Sequence, residues 1–317
     1  MKTEYNARAC SVLYNILRTN DIKGKVLIPS NICESIPATY LLLGIQPVFC
    51  DISLDDYQIE KERAMDIVRS QSISVFHYNH TYGYLSEEDD LFLAQIKQES
   101  PKTLVVDDRC LCFPEFGLTN TAADIVLYST GPVKCVDIGW GGYAVFKDKL
   151  RYREYKIEYD SSDLAAFDKH IKECHHFSKQ IDMRILLSGW LEISKSFQGN
   201  YFDVIKSKSI EASDHKKILN SIYDRIPGGL PAEYCNWRYQ LLLKNAKECI
   251  KAIFDAGLFC SFHYKSLGNG YFSNVSTPNN DYLEAHIVNL FNDYRFSSEQ
   301  AEELAELLKR IAIPVIR

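Results

Sequence analysis

The chain has 317 residues, 46% of them hydrophobic, with a formal net charge of −6 and an isoelectric point near 5.8. That is apolar material for a large core and more than one domain, and the lack of a Lys/Arg block argues against sequence-independent nucleic-acid binding. The opening MKTEYNARACSVLYNILRTN has no signal-peptide core and no apolar run has transmembrane length, while the ten cysteines, with no CxxC pair, read as reduced thiols of a cytoplasmic protein without a metal site.

Residues 7–18 carry apolar positions at helical spacing, and KVLIPS is a short strand stopped by Pro-Ser. ICESIPATYLLLG returns to a helical pattern ending at Gly44. QPVFCDIS is a strand, LDDYQIEKERAMDIVRS an acidic helix, and SISVFHYN another strand. EEDDLFLAQIKQES is a helix ended by Pro101, and TLVVDD, ADIVLYST and GGYAVFKD are three further strands. Strands alternating with helices at this spacing predict an α/β fold with a largely parallel sheet, so ligands are expected beyond the carboxyl ends of the strands.

From about residue 160 the pattern changes. HKKILNSIYDRI is helical, IPGGLP is a break, and YCNWRYQLLLK is strand-like. NAKECIKAIFDAG is a helix closed by Gly257, LFCSFHYKSL a strand, and SSEQAEELAELLKRI a helix capped by Ser297 or Ser298. The expected organisation is a large α/β domain over residues 1–200 and a smaller α+β domain over 201–317.

The strand ends carry the chemistry. TLVVDDRC delivers two carboxylates, and because strand side chains alternate, Asp107 and Asp108 cannot serve one site equally. Each could also be a turn or helix cap. Ser129 ends the next strand, and Lys134 follows five residues later. Taken alone, Lys134 reads as a loop charge whose amine reaches water. Taken together, an Asp at one strand end and a Ser-x-x-x-x-Lys loop after the next are what pyridoxal 5′-phosphate (PLP) requires. The lysine carries the aldehyde, the carboxylate keeps the ring nitrogen protonated, and a serine with a helix N-terminus takes the phosphate. The start of the first helix, at Ala7 and Arg8, supplies candidate amides and a guanidinium.

These residues resemble the PLP-dependent nucleotide-sugar aminotransferases, the DegT/DnrJ/StrS family of fold type I. The segments NARACSVLYNIL, KVLIPSNICESIPATYLLLGIQPVFCDISLDDYQIE, NHTYG, VVDDRCLCF, YSTGPVKCVDIGWGGYAVF and HIVNLFNDYRFSSEQAEELAELL occur in the family's order. The resemblance implies a three-layer PLP-transferase large domain with a mostly parallel central sheet, and a smaller C-terminal α+β domain. It makes Lys134 the imine lysine and proton carrier, Asp108 the pyridinium partner, and Ser129, Ala7 and Arg8 phosphate contacts. Cys33 or Ile32 falls where the family places an aromatic on the cofactor ring, Leu111 where it has a glutamine, and Asp182 where it has an asparagine lent by the partner subunit, with Arg184 close by. It further implies a homodimer with shared active sites and amino transfer from glutamate or glutamine to a nucleotide-linked keto-sugar, in polysaccharide or secondary-metabolite synthesis. Tyr82, His263, Tyr264 and Arg184 are candidate substrate contacts; Tyr82, His263 and Tyr264 read equally as packed side chains. Two other readings are a PLP-fold protein without transaminase activity, acting in binding or regulation, and an α/β sugar-binding module without cofactor.

Overall fold

The computed structural model describes residues 1–118, 121–155, 169, 196–268 and 275–316. A seven-stranded sheet forms from the first half of the chain, in the order β1-β7-β6-β5-β4-β2-β3. Its strands are β1 (Lys2–Asn6), β2 (Lys25–Pro29), β3 (Gln46–Cys50), β4 (Val75–Asn79), β5 (Leu104–Asp108), β6 (Ile125–Ser129) and β7 (Gly142–Phe146). The strands from β3 across to β6 run parallel, and β7 lies antiparallel to both β6 and β1.

Alternation along the strands builds two apolar faces. On one, Val106, Ile125, Leu127 and Ala144 pack under α1 (Ala9–Thr19) and α2 (Ser35–Leu42). On the other, Phe76, Val105, Val126 and Val145 pack under α3 (Lys61–Ser70) and α4 (Glu87–Glu99). The result is the expected three layers. The same alternation sends Asp107 and Asp108 to opposite faces.

The second sheet is antiparallel, ordered β8-β10-β9, with β8 Tyr239–Leu242, β9 Cys260–Ser261 and β10 Ile287–Leu290. Its core adds α6 (Ala246–Asp255) and α8 (Ser298–Ile311), the latter closed by a Ser297/Gln300 capping box. α7 (Pro278–His286) adds Leu283 to a third cluster, where Tyr82 and Leu111 from the large sheet's loops meet Trp237 and Ile287. The 23-residue α5 (Tyr201–Tyr223) spans both parts. Its first turns, at Tyr201 and Ile205, pack on the large sheet, and its last, at Leu219 and Tyr223, pack on the small one.

Three elements differ from expectation. β1 is an edge strand on β7 where none was read, because KTEYN is short, polar and largely exposed. The acidic helix starts only at Lys61; the residues before it turn back through an Ile52–Ile59 bridge. In LFCSFHYKSL only Cys260–Ser261 is strand, and the following residues leave the sheet to wall a cavity.

Candidate functional site

The parallel strands end together: Asn79 stands beside Asp108 across β4 and β5, and β6 ends at Ser129 opposite Gly142 of β7. Above these ends lies a cleft of about 430 Å³, within the range of small-molecule and cofactor sites. Ala7, Arg8, Cys33, Asp108, Ser129, Lys134 and His263 all line it, together with Asn79, Trp237, Arg238 and Tyr264.

Asp108 is braced from behind. His77 Nε2 lies 3.0 Å from one carboxylate oxygen, and the Cys110 amide donates to the other at 2.9 Å. The other ring nitrogen of His77 lies 2.8 Å from the Tyr40 hydroxyl. The carboxylate accepts only, so His77 carries a proton on Nε2, and its Nδ1 shares a hydrogen bond with the Tyr40 hydroxyl. Burial works against the charge on Asp108, but the His77 and Cys110 hydrogen bonds overcome it and hold the carboxyl below its usual range.

Asp107, on the opposite face, has a separate role. It accepts from His80 Nε2 at 2.6 Å and from Arg109 at 2.8 Å, while His80 Nδ1 faces the Tyr84 carbonyl at 3.0 Å. Both ring nitrogens of His80 meet acceptors, so the ring is an imidazolium; burial opposes this, and Asp107 outweighs it to raise the pKa.

Lys134 sits half-buried in the loop between β6 and β7 and takes part in no ion pair among the described residues. The loop is tied at its base, where Thr130 N–H donates to Gly141 O at 3.0 Å and the Thr130 hydroxyl meets Tyr201 at 2.6 Å. Val133, just before the lysine, has φ 60°, a strained value for a β-branched residue. Both its backbone groups are fixed: its N–H donates to Asp137 at 2.8 Å, and its carbonyl accepts from the Trp237 indole at 2.7 Å. Asp137 also accepts from the Gly139 amide at 2.8 Å and pairs with Arg295. The small sheet's side of the molecule therefore holds the lysine loop in place.

The double glycine is explained by close approach. A Cβ on Gly142 would lie 2.3 Å from the Ala9 nitrogen, so only glycine lets the start of α1 seat against β7; Gly141 has φ +93°. α1 has no side-chain cap and no acid in its first turn, which leaves its positive end open to an anion.

Two site expectations change. The Ala7 amide donates to the Asn6 side chain at 2.7 Å, so Ala7 lines the cleft without an amide to offer a phosphate. Tyr82 is fully buried behind the lining, its hydroxyl donating to the His263 carbonyl at 3.0 Å; it positions the wall and does not face the cleft. Cys33 and Ile32 both line the cleft, and Ile32 also belongs to the core cluster beneath it. Arg184 and Asp182 lie outside the described residues. The sequence reading missed Trp237 and Arg238. Their signal was a charged residue beside an indole at the edge of an apolar strand, in NWRYQLLL.

No family model matches the sequence, and no curated protein matches it. Solved structures do match the fold. Spr1654 from Streptococcus pneumoniae, described as a candidate sugar aminotransferase and captured in its PMP form, superposes at TM-score 0.67 and 18% identity, over 98% of this chain and 87% of that one. A DegT DnrJ EryC1 StrS aminotransferase from Brucella abortus gives 0.66 and 15%, over 98% and 86%. DesI, solved with its TDP-sugar product, gives 0.68 and 16%, over 98% and 80%. The chain has the fold of the sugar aminotransferases.

Within that aminotransferase fold, the residues present suit PLP. The cleft offers an open helix N-terminus and Ser129 at one end and a braced carboxylate at Asp108. It also offers an amine at Lys134 and an orphaned acceptor, Asn79 Oδ1. The three thiols on the lining are poor nucleophiles: burial pushes Cys10 up to about 11 and raises Cys33 and Cys110 as well.

Proposed function

We propose that this protein is a PLP-dependent aminotransferase that moves an amino group from glutamate or glutamine to a nucleotide-linked keto-sugar. The observation that carries the reading is the convergence on one cleft of Lys134, free of any ion pair among the described residues, and Asp108, charged and held by His77. PLP supplies an electron sink for the negative charge that develops at the substrate carbon. Asp108 holds a proton on the ring nitrogen, and its low pKa keeps it anionic for that task. Lys134 Nζ binds the cofactor and moves the proton between substrate and cofactor carbons. Arg8, Ser129 and the first amides of α1 hold the phosphate. His77 and Tyr40 exclude water behind Asp108 and fix its orientation.

By the family pattern the protein is a homodimer with shared sites, acts in the cytoplasm, and serves polysaccharide or secondary-metabolite synthesis. No helix among the described residues is long and apolar enough to cross a membrane. The test is a panel of nucleotide keto-sugars supplied with PLP and either donor. Amine-bearing product is expected from wild type and none from Lys134→Ala. A second reading, a PLP-holding protein without transaminase activity, draws on Ile32 and Cys33, which offer no aromatic ring. It is favoured if the protein binds PLP and no amino donor changes its spectrum.

A further inference from the structure

Two thiols differ from the other cysteines. Among the described residues nine cysteines are free; seven are buried, and only Cys10 and Cys33 keep partial exposure. Both line the cleft that Lys134 and Asp108 share. Both also meet one hydroxyl: the Cys10 thiol donates to Ser35 Oγ at 3.3 Å, and the Cys33 sulfur lies 3.2 Å from the same oxygen. Two atoms that close to a third are separated by less than twice that distance, a gap that side-chain rotation can narrow. Cys110, the third thiol on the lining, is buried, and its sulfur faces the Leu127 carbonyl at 3.9 Å. Cys10 stands in the first turn of α1 and Cys33 in the connection from β2 to α2. A bond between them therefore ties the phosphate end of the cleft to the position where an aromatic ring was expected. Burial, then the charge of Glu34, raises the Cys33 pKa, and the charge of Lys134 opposes that rise. Burial raises Cys10 to about 11. Both thiols are thus protonated at neutral pH and stay reduced until a two-electron oxidant reaches the cleft.

We infer that Cys10 and Cys33 form a reversible disulfide that controls loading of the cofactor. The oxidant is a hydroperoxide. The Cys33 sulfur takes one oxygen from hydrogen peroxide, giving a sulfenic acid and one water. The Cys10 sulfur then bonds to the Cys33 sulfur, and the hydroxide that leaves takes the Cys10 proton as a second water. Two thiols lose two electrons in all, one peroxide gains them, and a thiol reductant reverses the step. The link draws the open first turn of α1 toward the start of α2, which removes the space offered to a phosphate. A bound cofactor occupies the same cleft and stands between the thiols and the oxidant. The effect on the cofactor rests on the aminotransferase reading; the disulfide itself does not. Transient disulfides of this kind are the form that persists in reducing compartments.

The test treats the full chain with hydrogen peroxide, with and without PLP, alkylates the remaining thiols and maps the unreduced peptides by mass spectrometry. A Cys10–Cys33 linked peptide is expected, lost on treatment with dithiothreitol and less abundant when PLP is present. PLP affinity, titrated by the visible band, is expected to fall at least about tenfold on oxidation and to return on reduction. In Cys10→Ser and in Cys33→Ser, each compared with itself untreated, peroxide is expected to leave PLP affinity unchanged; the second variant covers failure of the first to fold. Absence of the linked peptide, a link from either cysteine to a different one, or a link that leaves PLP affinity unchanged each overturns the inference. A wild type that forms the link but, when reduced, shows no band with PLP overturns the aminotransferase reading and the control of loading with it, but not the disulfide.

Discussion

Asp108 owes its charge to two neighbours and not to water. His77→Leu removes one of them and strands the buried Tyr40 hydroxyl. We expect it to lower stability by about 1–3 kcal/mol and to raise the Asp108 pKa. Urea denaturation and the pH dependence of PLP binding measure the two effects; an unchanged midpoint contradicts the relay. The His80–Asp107 pair makes a pH prediction of its own. Asp107 is lowered from 3.8, by His80 and Arg109 against its burial, so its contribution is present above that value and lost as pH falls through the folded pKa. His80 is raised from 6.5, so its contribution is full below that value and lost as pH rises through the folded pKa. Stability from this pair is therefore greatest between the two ordinary values and declines on both sides. His80→Gln should flatten the alkaline decline in melting temperature; a slope identical to wild type would rule the pair out as its source.

At the scale of elements, the lysine loop is a strained turn held by side chains distant in sequence. Asp137→Ala removes the acceptor for Val133 and Gly139 and the partner of Arg295. We expect it to cost about 1–3 kcal/mol and to weaken PLP binding, measured by equilibrium titration. Gly142→Ala brings a methyl against the backbone of Ala9 and should reduce PLP affinity tenfold or more, through a displaced α1 and not through lost charge; affinity within twofold of wild type contradicts that packing. The elements themselves were largely legible, because period-2 and period-3.6 patterns in the first 146 residues encode burial directly. The lysine loop and strand-end carboxylates were legible as residue types in order. The wall built by Trp237, Arg238, His263 and Tyr264 was not. Those residues leave regular structure to reach the cleft, and their placement depends on contacts across the chain, such as Trp237 to Val133, that no local pattern carries. Cys260–Ser261 shows the same limit: a ten-residue stretch read as a strand holds only a two-residue strand, and the residues after it form part of the wall.

For the whole molecule, the cleft lies where the large sheet's strand ends meet the small sheet's loops, and α5 packs on both. Aromatic side chains near the lysine loop remain exposed: Tyr5, 47% exposed, stacks on Tyr201, and Phe116, 39% exposed, packs on Tyr143. With the homodimer proposed above, they predict a particle of two 36.4 kDa chains. Sedimentation equilibrium checks this, and a monomer at micromolar concentration contradicts it. The most direct test of the account joins cofactor and residue in one observation. Purified protein is incubated with PLP, reduced with borohydride, digested and mapped by mass spectrometry. The account predicts a visible band before reduction and a phosphopyridoxyl group on Lys134 after it; label on another lysine, or none, would contradict it.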